Sequence, residues 1–283
     1  MPRDEPAYSL AEGTSLAAHA ALFDGVAVDK TREHHKVPLD ASRQPPARRA
    51  SFLWFDAWLN RQDLSGKAAL DMGCGRGEVS VQLARLGARV TGVDVSPESL
   101  RRAAALAQSH GVADLIELRE GNAESLPFDD DRFDLAVSAG VMSFVYFDRA
   151  AAELARVTKQ GGTAVILDTL GHNPIARLGR RRRLVHGETT RFQVENILTC
   201  NHLDRLRAHF GHVEVQAFDF LAVPMMFVED RLIRLHPKLG GIFAPVSATL
   251  RAADKFLLKW RPLRRFAFRV VVIAKWPRVH EAG

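Results

Sequence analysis

The sequence predicts an α/β fold in which helices cover both faces of a mostly parallel β-sheet. From Lys67 to Leu167, short apolar runs alternate with segments of helical periodicity, which is the order of elements in such a sheet. The first apolar run ends in a glycine-rich turn at 73–77, and a helical pattern follows the turn. With 283 residues, 47% of them hydrophobic, the chain can bury a large core as one domain or as a domain with a cap.

The part of the chain before the alternating region divides into two predicted segments. Residues 1–45 show weak periodicity and several turn formers, so we expect a cap or lid, with the main domain at 46–283. Within the main domain, apolar residues at helical spacing predict a helix over 48–59. His34 and His35 stand next to each other on a polar segment of the cap and are candidate substrate contacts. The alternative is that they belong to an exposed loop.

The alternating region contains five predicted strands and the helices between them. Ser96 and Pro97 show how sharply some boundaries are marked, since serine is a favoured N-cap and proline suits the first helical turn. The strands are predicted at 67–71, 89–93, 115–119, 133–138 and 163–167, and the helices run from the glycine turn to Leu86, over 97–109 and over 148–158.

The second half departs from simple alternation. Residues 171–198 are polar, rich in arginine and poorly periodic, and residues 221–264 interrupt the last two predicted strands. We expect both stretches to be insertions on the substrate side of the domain. A helix is predicted at 200–210, and strands are predicted at 213–220 and 266–274.

The glycine turn has the form Gly73-x-Gly75-x-Gly77 and is preceded by Asp71. A dinucleotide-binding turn would have its third glycine at position 78, which is Glu78 here. An acid beside the turn would repel a pyrophosphate, but it can accept hydrogen bonds from the cationic amino group of an amino acid. Asp94 ends the next apolar run, where an acid commonly accepts ribose hydroxyls. An amino acid and a ribose in one crevice indicate S-adenosylmethionine.

At these residues the sequence resembles the class I (Rossmann-like) S-adenosylmethionine-dependent methyltransferases, whose glycine motif has the form D/E-x-G-x-G-x-G. The resemblance implies a seven-stranded, mostly parallel sheet in which strands six and seven are an antiparallel pair. It also implies that the methionine part, the ribose and the adenine of the cofactor lie along successive strand ends, and that S-adenosylhomocysteine is the product. The implied contacts are Asp71, Gly73, Cys74 and Gly75 for the methionine part, Asp94 for the ribose, Val95, Asn122 and Ala123 for the adenine, and Ser138 and Ala139 near the transferred methyl group.

Several of these residues also have a purely structural interpretation. Asp71 and Asp94 would serve as caps of the turns that follow their strands. Asn122 would stabilise a turn, and Cys74 would be a small packed side chain.

A general base is harder to identify. Many relatives carry a histidine pair after strand four, but residues 141–145 read Val-Met-Ser-Phe-Val. His172, just beyond strand five, is the candidate catalytic residue, since the carboxyl ends of parallel strands line the crevice and histidine titrates near neutral pH. Alternatively, His172 bonds to the backbone of a turn, or proximity alone drives the reaction and no base is needed.

The basic segments bear on the acceptor. The net charge is +6, and much of it lies in 177–183 and 251–278. Arg177 is a candidate substrate contact, because guanidinium groups near the crevice can hold a phosphate or a carboxylate. The segment 251–278 mixes aromatic and basic residues, which suits a membrane or another anionic surface; nucleic acid is less favoured, since no RNA-binding module is present. The alternative is a solvated basic face.

Composition and motifs bear on the cellular location and on metal binding. No apolar run is long enough to span a membrane, the N-terminus lacks the pattern of a secretory signal, and the only cysteines are Cys74 and Cys200. These observations favour a cytoplasmic protein. No spacing typical of a metal site occurs, so no metal is predicted.

The leading hypothesis is a methyltransferase that acts on O or N of a small or medium-sized organic acceptor, anionic or lipid-like, of a biosynthetic route. The alternatives are an RNA methyltransferase and a protein that binds S-adenosylmethionine without transferring its methyl group.

Overall fold

A computed structural model of the chain describes residues 46–186, 191–235 and 244–277. The predicted cap at 1–45, with His34 and His35, lies outside the described residues.

The core of the fold is a seven-stranded sheet with the strand order β3-β2-β1-β4-β5-β7-β6. All strands are parallel except β7, which runs antiparallel to both β5 and β6. The predicted fold class is therefore confirmed. The strands are β1 Ala68–Met72, β2 Arg89–Asp94, β3 Ile116–Glu120, β4 Phe133–Ala139, β5 Thr158–Thr169, β6 Phe210–Phe218 and β7 Arg269–Pro277.

Helices pack on both faces of this sheet, because successive strand side chains point to opposite sides and both sides are apolar. In β5, Val165 belongs to a buried cluster that includes Phe55 and Leu83, whereas Ile166 belongs to a second cluster that includes Leu154. The helices are α1 Pro46–Leu59, α2 Glu78–Arg85, α3 Pro97–Ser109, α4 Phe147–Val157, α5 Pro174–Val185, α6 Arg191–Glu195, α7 Cys200–His209, α8 Val223–Leu235, α9 Ala244–Leu257 and α10 Arg261–Arg264.

The helix that follows β2 shows how local sequence sets a boundary. The Ser96 side chain accepts a hydrogen bond from the Ser99 backbone N–H at 3.0 Å, and Pro97 occupies the first helical turn. The structure thus confirms the predicted start and end of α3.

The last three strands differ from their predicted bounds, since those predicted at 213–220 and 266–274 span Phe210–Phe218 and Arg269–Pro277. The fifth strand was expected to begin after the glycine pair that precedes Thr163, but β5 begins at Thr158, directly after α4. The pairing with β4 shifts register between Phe133 and Leu135, and a side chain on Gly162 would collide with the backbone. The glycine therefore lies in a bulge rather than in a connecting turn. The stretch 171–198 contains helices α5 and α6, although its periodicity is poor.

Candidate active site

A crevice lies where the carboxyl ends of three neighbouring strands meet. Met72 at the end of β1 pairs with Val93 of β2 on one side and with Ser138 of β4 on the other. The loops that follow these strands therefore begin side by side, which is where parallel sheets bind ligands.

The glycine turn is held against β2 by its own amides. The backbone N–H groups of Gly73 and Cys74 both donate to the Val93 carbonyl, at 2.8 and 2.9 Å, and the Gly75 N–H donates to Asp94 Oδ2 at 2.8 Å. These three amides were expected to hold the methionine part of the cofactor. In this structure all three amides have partners inside the protein and shape the turn, and a contact of these residues with the methionine part stays a prediction.

Asp94 is half-buried at the end of β2 and joins two loops. Its Oδ1 accepts the Ser96 N–H at 2.9 Å, while Oδ2 accepts the glycine turn. A carboxylate has about four acceptor positions, so these bonds leave capacity for ribose hydroxyls. The ribose contact remains a prediction, and the cap interpretation describes part of what Asp94 does.

Asp71 lies beneath the turn and is only 1% exposed. Its Oδ2 accepts the Ser80 hydroxyl of α2 at 2.6 Å. Burial raises the pKa of Asp71 to about 7, against the lowering effect of the Ser80 hydrogen bond. The direct contact with the cofactor predicted for Asp71 is therefore not favoured by this geometry. Asp71 supports the turn from below, since it ties β1 to the first turn of α2.

Cys74 follows the structural interpretation. Its side chain is buried, and burial raises the pKa of the thiol well above its usual range, with further contributions from Asp71 and Asp94. The thiol is therefore protonated and packs beside Gly92, where an added side chain would come within 3.1 Å of Cys74 Sγ.

Open space for a ligand is found at two glycines, one in each loop. Gly75 and Gly140 have positive φ angles of 53° and 79°, and a side-chain atom built at either position meets nothing within 4 Å. Gly73 differs, because such an atom would lie 2.4 Å from Val141 Cγ2. Gly73 thus lets the two loops touch, while Gly75 and Gly140 leave open space beside their loops, which we call the cradle.

The adenine end of the predicted site lies after β2 and β3. Asn122 Oδ1 accepts the Glu124 N–H at 2.9 Å, which is a side-chain turn of the kind weighed as the structural interpretation. Its amide group remains the predicted contact for adenine, beside buried Ala123 and half-buried Val95.

At the end of β4 the structure separates two predicted residues. Ser138 is fully buried, and its Oγ has no hydrogen-bond partner among the residues that the structure describes. Ser138 shares the sheet face of Ala136, and its place near the transferred methyl group stays a prediction. Ala139 is half-exposed, and its backbone leads into the open space at Gly140, so it stays a predicted cofactor contact.

Asp168 is a buried acid beside the candidate site that the sequence reasoning did not single out. It is buried at the end of β5, where Oδ2 accepts the Met142 N–H at 2.9 Å and Oδ1 accepts the Thr169 N–H at 2.6 Å. It thereby fixes the loop after β4, next to the open space at Gly140. The signal was present, since an acid at the end of an apolar run is the same pattern that singled out Asp71 and Asp94.

Beyond β5, a cavity of about 400 Å³ is lined by the predicted catalytic residue His172 and the predicted substrate contact Arg177. His172 Nε2 accepts the Cys200 N–H at 3.2 Å, so the backbone-bonded interpretation describes its position. Burial, Arg177 and Arg265 lower the pKa of His172. A base acting through Nε2 would first have to release the Cys200 N–H. Arg180, which also lines the cavity, was not singled out from the sequence.

Two further features would bear on the site, namely a membrane-spanning helix and a metal-binding cluster. No helix within 46–186, 191–235 or 244–277 combines the length and apolarity that a membrane crossing requires. In the same ranges no three histidine, cysteine or acidic side chains converge as a metal site would need.

Comparison with known proteins agrees with this geometry. Residues 70–166 match a family model described as a methyltransferase domain. The chain is 37% identical over 164 residues to a demethylmenaquinone methyltransferase of Thermobifida fusca, covering 57% of this chain and 64% of that protein. It is 34% identical over 116 residues to a ubiquinone/menaquinone biosynthesis C-methyltransferase of Bartonella tribocorum, covering 40% and 45%. Two mycobacterial relatives are matched over 37% and 40% of their length.

A solved structure shares the fold. It is the Haemonchus contortus phosphoethanolamine N-methyltransferase 2 in complex with phosphomonomethylethanolamine and S-adenosylhomocysteine. The TM-score is 0.56 at 18% identity, and the alignment covers 79% of this chain and 52% of that one.

Proposed function

Because residues 70–166 form a methyltransferase domain of the class I, S-adenosylmethionine-dependent type, we propose that the chain transfers a methyl group from this cofactor to a small or medium-sized organic acceptor. The observation that carries the proposal is the cradle between Gly75 and Gly140, with the Asp94 carboxylate at its edge. Oxygen or nitrogen is the proposed methylated atom. The Bartonella relative is named a C-methyltransferase, so carbon is the competing outcome.

Methyl transfer depends mainly on how the cofactor and the acceptor are positioned relative to each other. The cofactor supplies a methyl group on a sulfonium, and a nucleophile held about 3 Å from that carbon can displace it in line. Asp94 and Asn122 would orient the ribose and the adenine. The loops after β1 and β4, which touch at Gly73 and Val141, would exclude water from the methionine end. Asp168 holds the loop after β4 in place for this. No residue has to remove a proton if the acceptor atom is already a free base.

The acceptor would enter from the side of the second half. We assign the elements that close over it to residues 1–45 and to the insertions at 171–198 and 221–264. Support comes from the cavity beyond β5, which adjoins β4 because Leu167 pairs with Ala139 and accepts the Gly140 N–H at 2.8 Å. The strand that leads to the cavity therefore lies next to the strand that leads to Gly140.

A surface contact with an anionic membrane is a separate part of the proposal. Phe256 and Trp260 are 75% and 65% exposed, and exposed Lys255 and Lys259 flank them. Exposed aromatic rings interleaved with lysines suit the interface of an anionic bilayer. Phe256→Ser with Trp260→Ser should abolish co-flotation with phosphatidylglycerol vesicles, and equal flotation of wild type with neutral phosphatidylcholine vesicles would contradict the proposal.

Calorimetry with S-adenosylmethionine and S-adenosylhomocysteine tests the central step. Asp94→Ala should weaken both affinities about tenfold to a hundredfold, the usual effect of losing hydrogen bonds to a charged group. Asp114→Ala, at an exposed acid before β3, is the matched control and should bind as wild type does. Failure of wild type to bind either ligand at millimolar concentration would reject the function.

The two alternatives give different results. An RNA methyltransferase would show RNA affinity that falls steeply with salt, so absence of binding at low salt removes it. A protein that binds the cofactor in another role would bind S-adenosylmethionine yet transfer no labelled methyl group to any species in a metabolite extract.

A further inference from the structure

The cavity beyond β5 is lined by an unusual concentration of positive charge. Among the described residues that line it, three are arginines and one, Glu195, is an acid. We call it the arginine pocket, and it is lined by Gly171, His172, Arg177, Arg180, Arg181, Val194, Glu195, Ile197 and Thr199.

Arg180 is the central feature, because it is a buried charge without an acid partner. It is 7% exposed, and its Nη2 donates to the Gly171 carbonyl at 3.1 Å. Within the part of the chain that the structure describes, no carboxylate forms an ion pair with it. Burial, together with Arg183 and Arg177, lowers the pKa of Arg180 to about 10. A guanidinium in this setting gains from any anion that reaches it.

The other polar groups of the pocket are already engaged. Glu195 Oε1 accepts Arg191 Nε at 2.7 Å, and Thr199 Oγ1 accepts the His202 N–H at the start of α7. His172 Nε2 accepts the Cys200 N–H, so a neutral His172 carries its proton on Nδ1. What the pocket offers a ligand is therefore mainly donors, supplied by three arginines, beside one carboxylate that is already paired with Arg191.

We propose that the arginine pocket binds a phosphoryl group, as a phosphate or diphosphate ester carried by the methyl acceptor. The role as an acceptor subsite rests on the proposed methyl transfer; the anion binding does not. Three guanidinium groups match the two or more charges of a phosphoryl group better than the single charge of a carboxylate. The volume of about 400 Å³ is in the range of small-ligand sites, so it also accommodates part of the attached carbon skeleton.

Titration calorimetry with inorganic pyrophosphate, with the full chain and no cofactor, tests the pocket. Wild type should bind pyrophosphate, and Arg180→Met should weaken that binding at least tenfold. Arg182→Met is the matched control: Arg182 lies on the same helix, is exposed and does not line the pocket, so binding should stay within about twofold of wild type by the usual worth of a surface charge. Equal loss in both variants, no binding by wild type, or acetate binding as tightly as pyrophosphate would each overturn the proposal.

A second readout separates a ligand site from a structural arginine. Removal of an uncompensated buried charge should leave the melting temperature of Arg180→Met equal to or above that of wild type, whereas an arginine needed for folding would lower it. Failure of Arg180→Met to fold would count against the proposal on this readout. The double variant Arg177→Met/Arg181→Met, at two exposed positions, then tests binding independently and should also weaken pyrophosphate binding.

Binding of S-adenosylmethionine, measured on the same preparations, keeps the two proposals apart. Pyrophosphate binding without cofactor binding would retain the pocket and reject the methyltransferase function. Cofactor binding without pyrophosphate binding would do the reverse.

Discussion

Buried charges are paired differently in two regions of the molecule. We call the ends of β1, β2, β4 and β5 the cofactor edge, where the cofactor is proposed to bind, and residues 171–264 the acceptor side, where the acceptor is proposed to bind. At the cofactor edge, the carboxylates of Asp94 and Asp168 each accept two backbone N–H groups, at 2.6 to 2.9 Å. On the acceptor side, Arg180 has no ion pair among the described residues. The two acids are thus stabilised by backbone amides of the chain itself, whereas the guanidinium of Arg180 has only a backbone carbonyl as its partner.

A second group on the acceptor side repeats this pattern of loose pairing. Asp219 and Glu229 are buried on either side of Arg251, whose guanidinium nitrogens lie 3.5 and 3.7 Å from them. Both Asp219 carboxylate oxygens lack a hydrogen-bond partner among the residues described, and burial raises the pKa of Asp219 to about 6. The contrast is that the acids at the carboxyl ends of β2 and β5 are bonded to backbone amides, whereas Arg180, Asp219 and Glu229 have loose ion pairs or none among the described residues.

Asp71 is the exception at the cofactor edge, and it gives the largest expected effect. Its folded pKa of about 7 lies above the ordinary value of 3.8, so the folded state keeps a proton that the unfolded state has lost. The unfolding free energy should therefore fall as pH rises from about 4 to about 7 and level off above, by on the order of 3 kcal/mol between pH 5 and pH 8. Asp71→Asn should remove this dependence in urea titrations.

The control for this prediction is Asp63→Asn, at an exposed acid outside the sheet. Its stability should follow that of wild type across the same pH range. If Asp71→Asn also runs parallel to wild type, the Asp71 carboxyl is ionised in the folded protein at pH 5, and the cofactor edge has no exception.

Gly73→Ala tests whether the cofactor edge is as closely fitted as its hydrogen bonds indicate. The added methyl group would lie 2.4 Å from Val141 Cγ2 and would also meet the cost of a positive φ, so about 3 kcal/mol of unfolding free energy should be lost. Gly66→Ala is matched, since its φ of 70° nearly equals the 71° of Gly73 and its surroundings are open.

The difference between the two glycine variants in urea unfolding isolates the collision. Gly66→Ala should lose only about 1 to 2 kcal/mol, the cost of the backbone conformation. Adding Val141→Ala to Gly73→Ala should recover part of the extra loss. Equal losses at the two glycines would mean that the loops after β1 and β4 yield freely and that the edge is not closely fitted.

The parts of this molecule that the sequence predicts are those decided by local pattern. The bounds of α3 follow from Ser96 and Pro97, and the sheet follows from apolar runs that recur between helices. The bonding of the Gly73 and Cys74 amides within the protein could not be predicted, because the direction of an N–H in a turn depends on which neighbouring carbonyl the folded loop meets. That carbonyl belongs to Val93, twenty or so residues away along the chain.

Arg180 shows the other limit of sequence reasoning. It stands in a run of arginines whose other members are exposed, and helical periodicity cannot tell which one turns inward when apolar residues are scarce. Its burial follows from the meeting of α5 with the Gly171 carbonyl and the segment before α7, which only the fold provides.

His172 gives the smallest expected effect and decides whether the acceptor side contains a base. Its Nε2 is occupied by the Cys200 N–H, and burial and two arginines lower its pKa, so His172→Gln, which keeps an acceptor, should change kcat by less than about threefold with an unaltered pH profile. Removal of a true general base would cost about a hundredfold or more. A loss of that size, together with loss of the acidic limb of the profile and unchanged binding of S-adenosylmethionine, would show that the Cys200 bond opens during turnover. His172 would then stay bonded to the Cys200 N–H until the acceptor binds, just as Arg180 stays without an acid partner among the described residues.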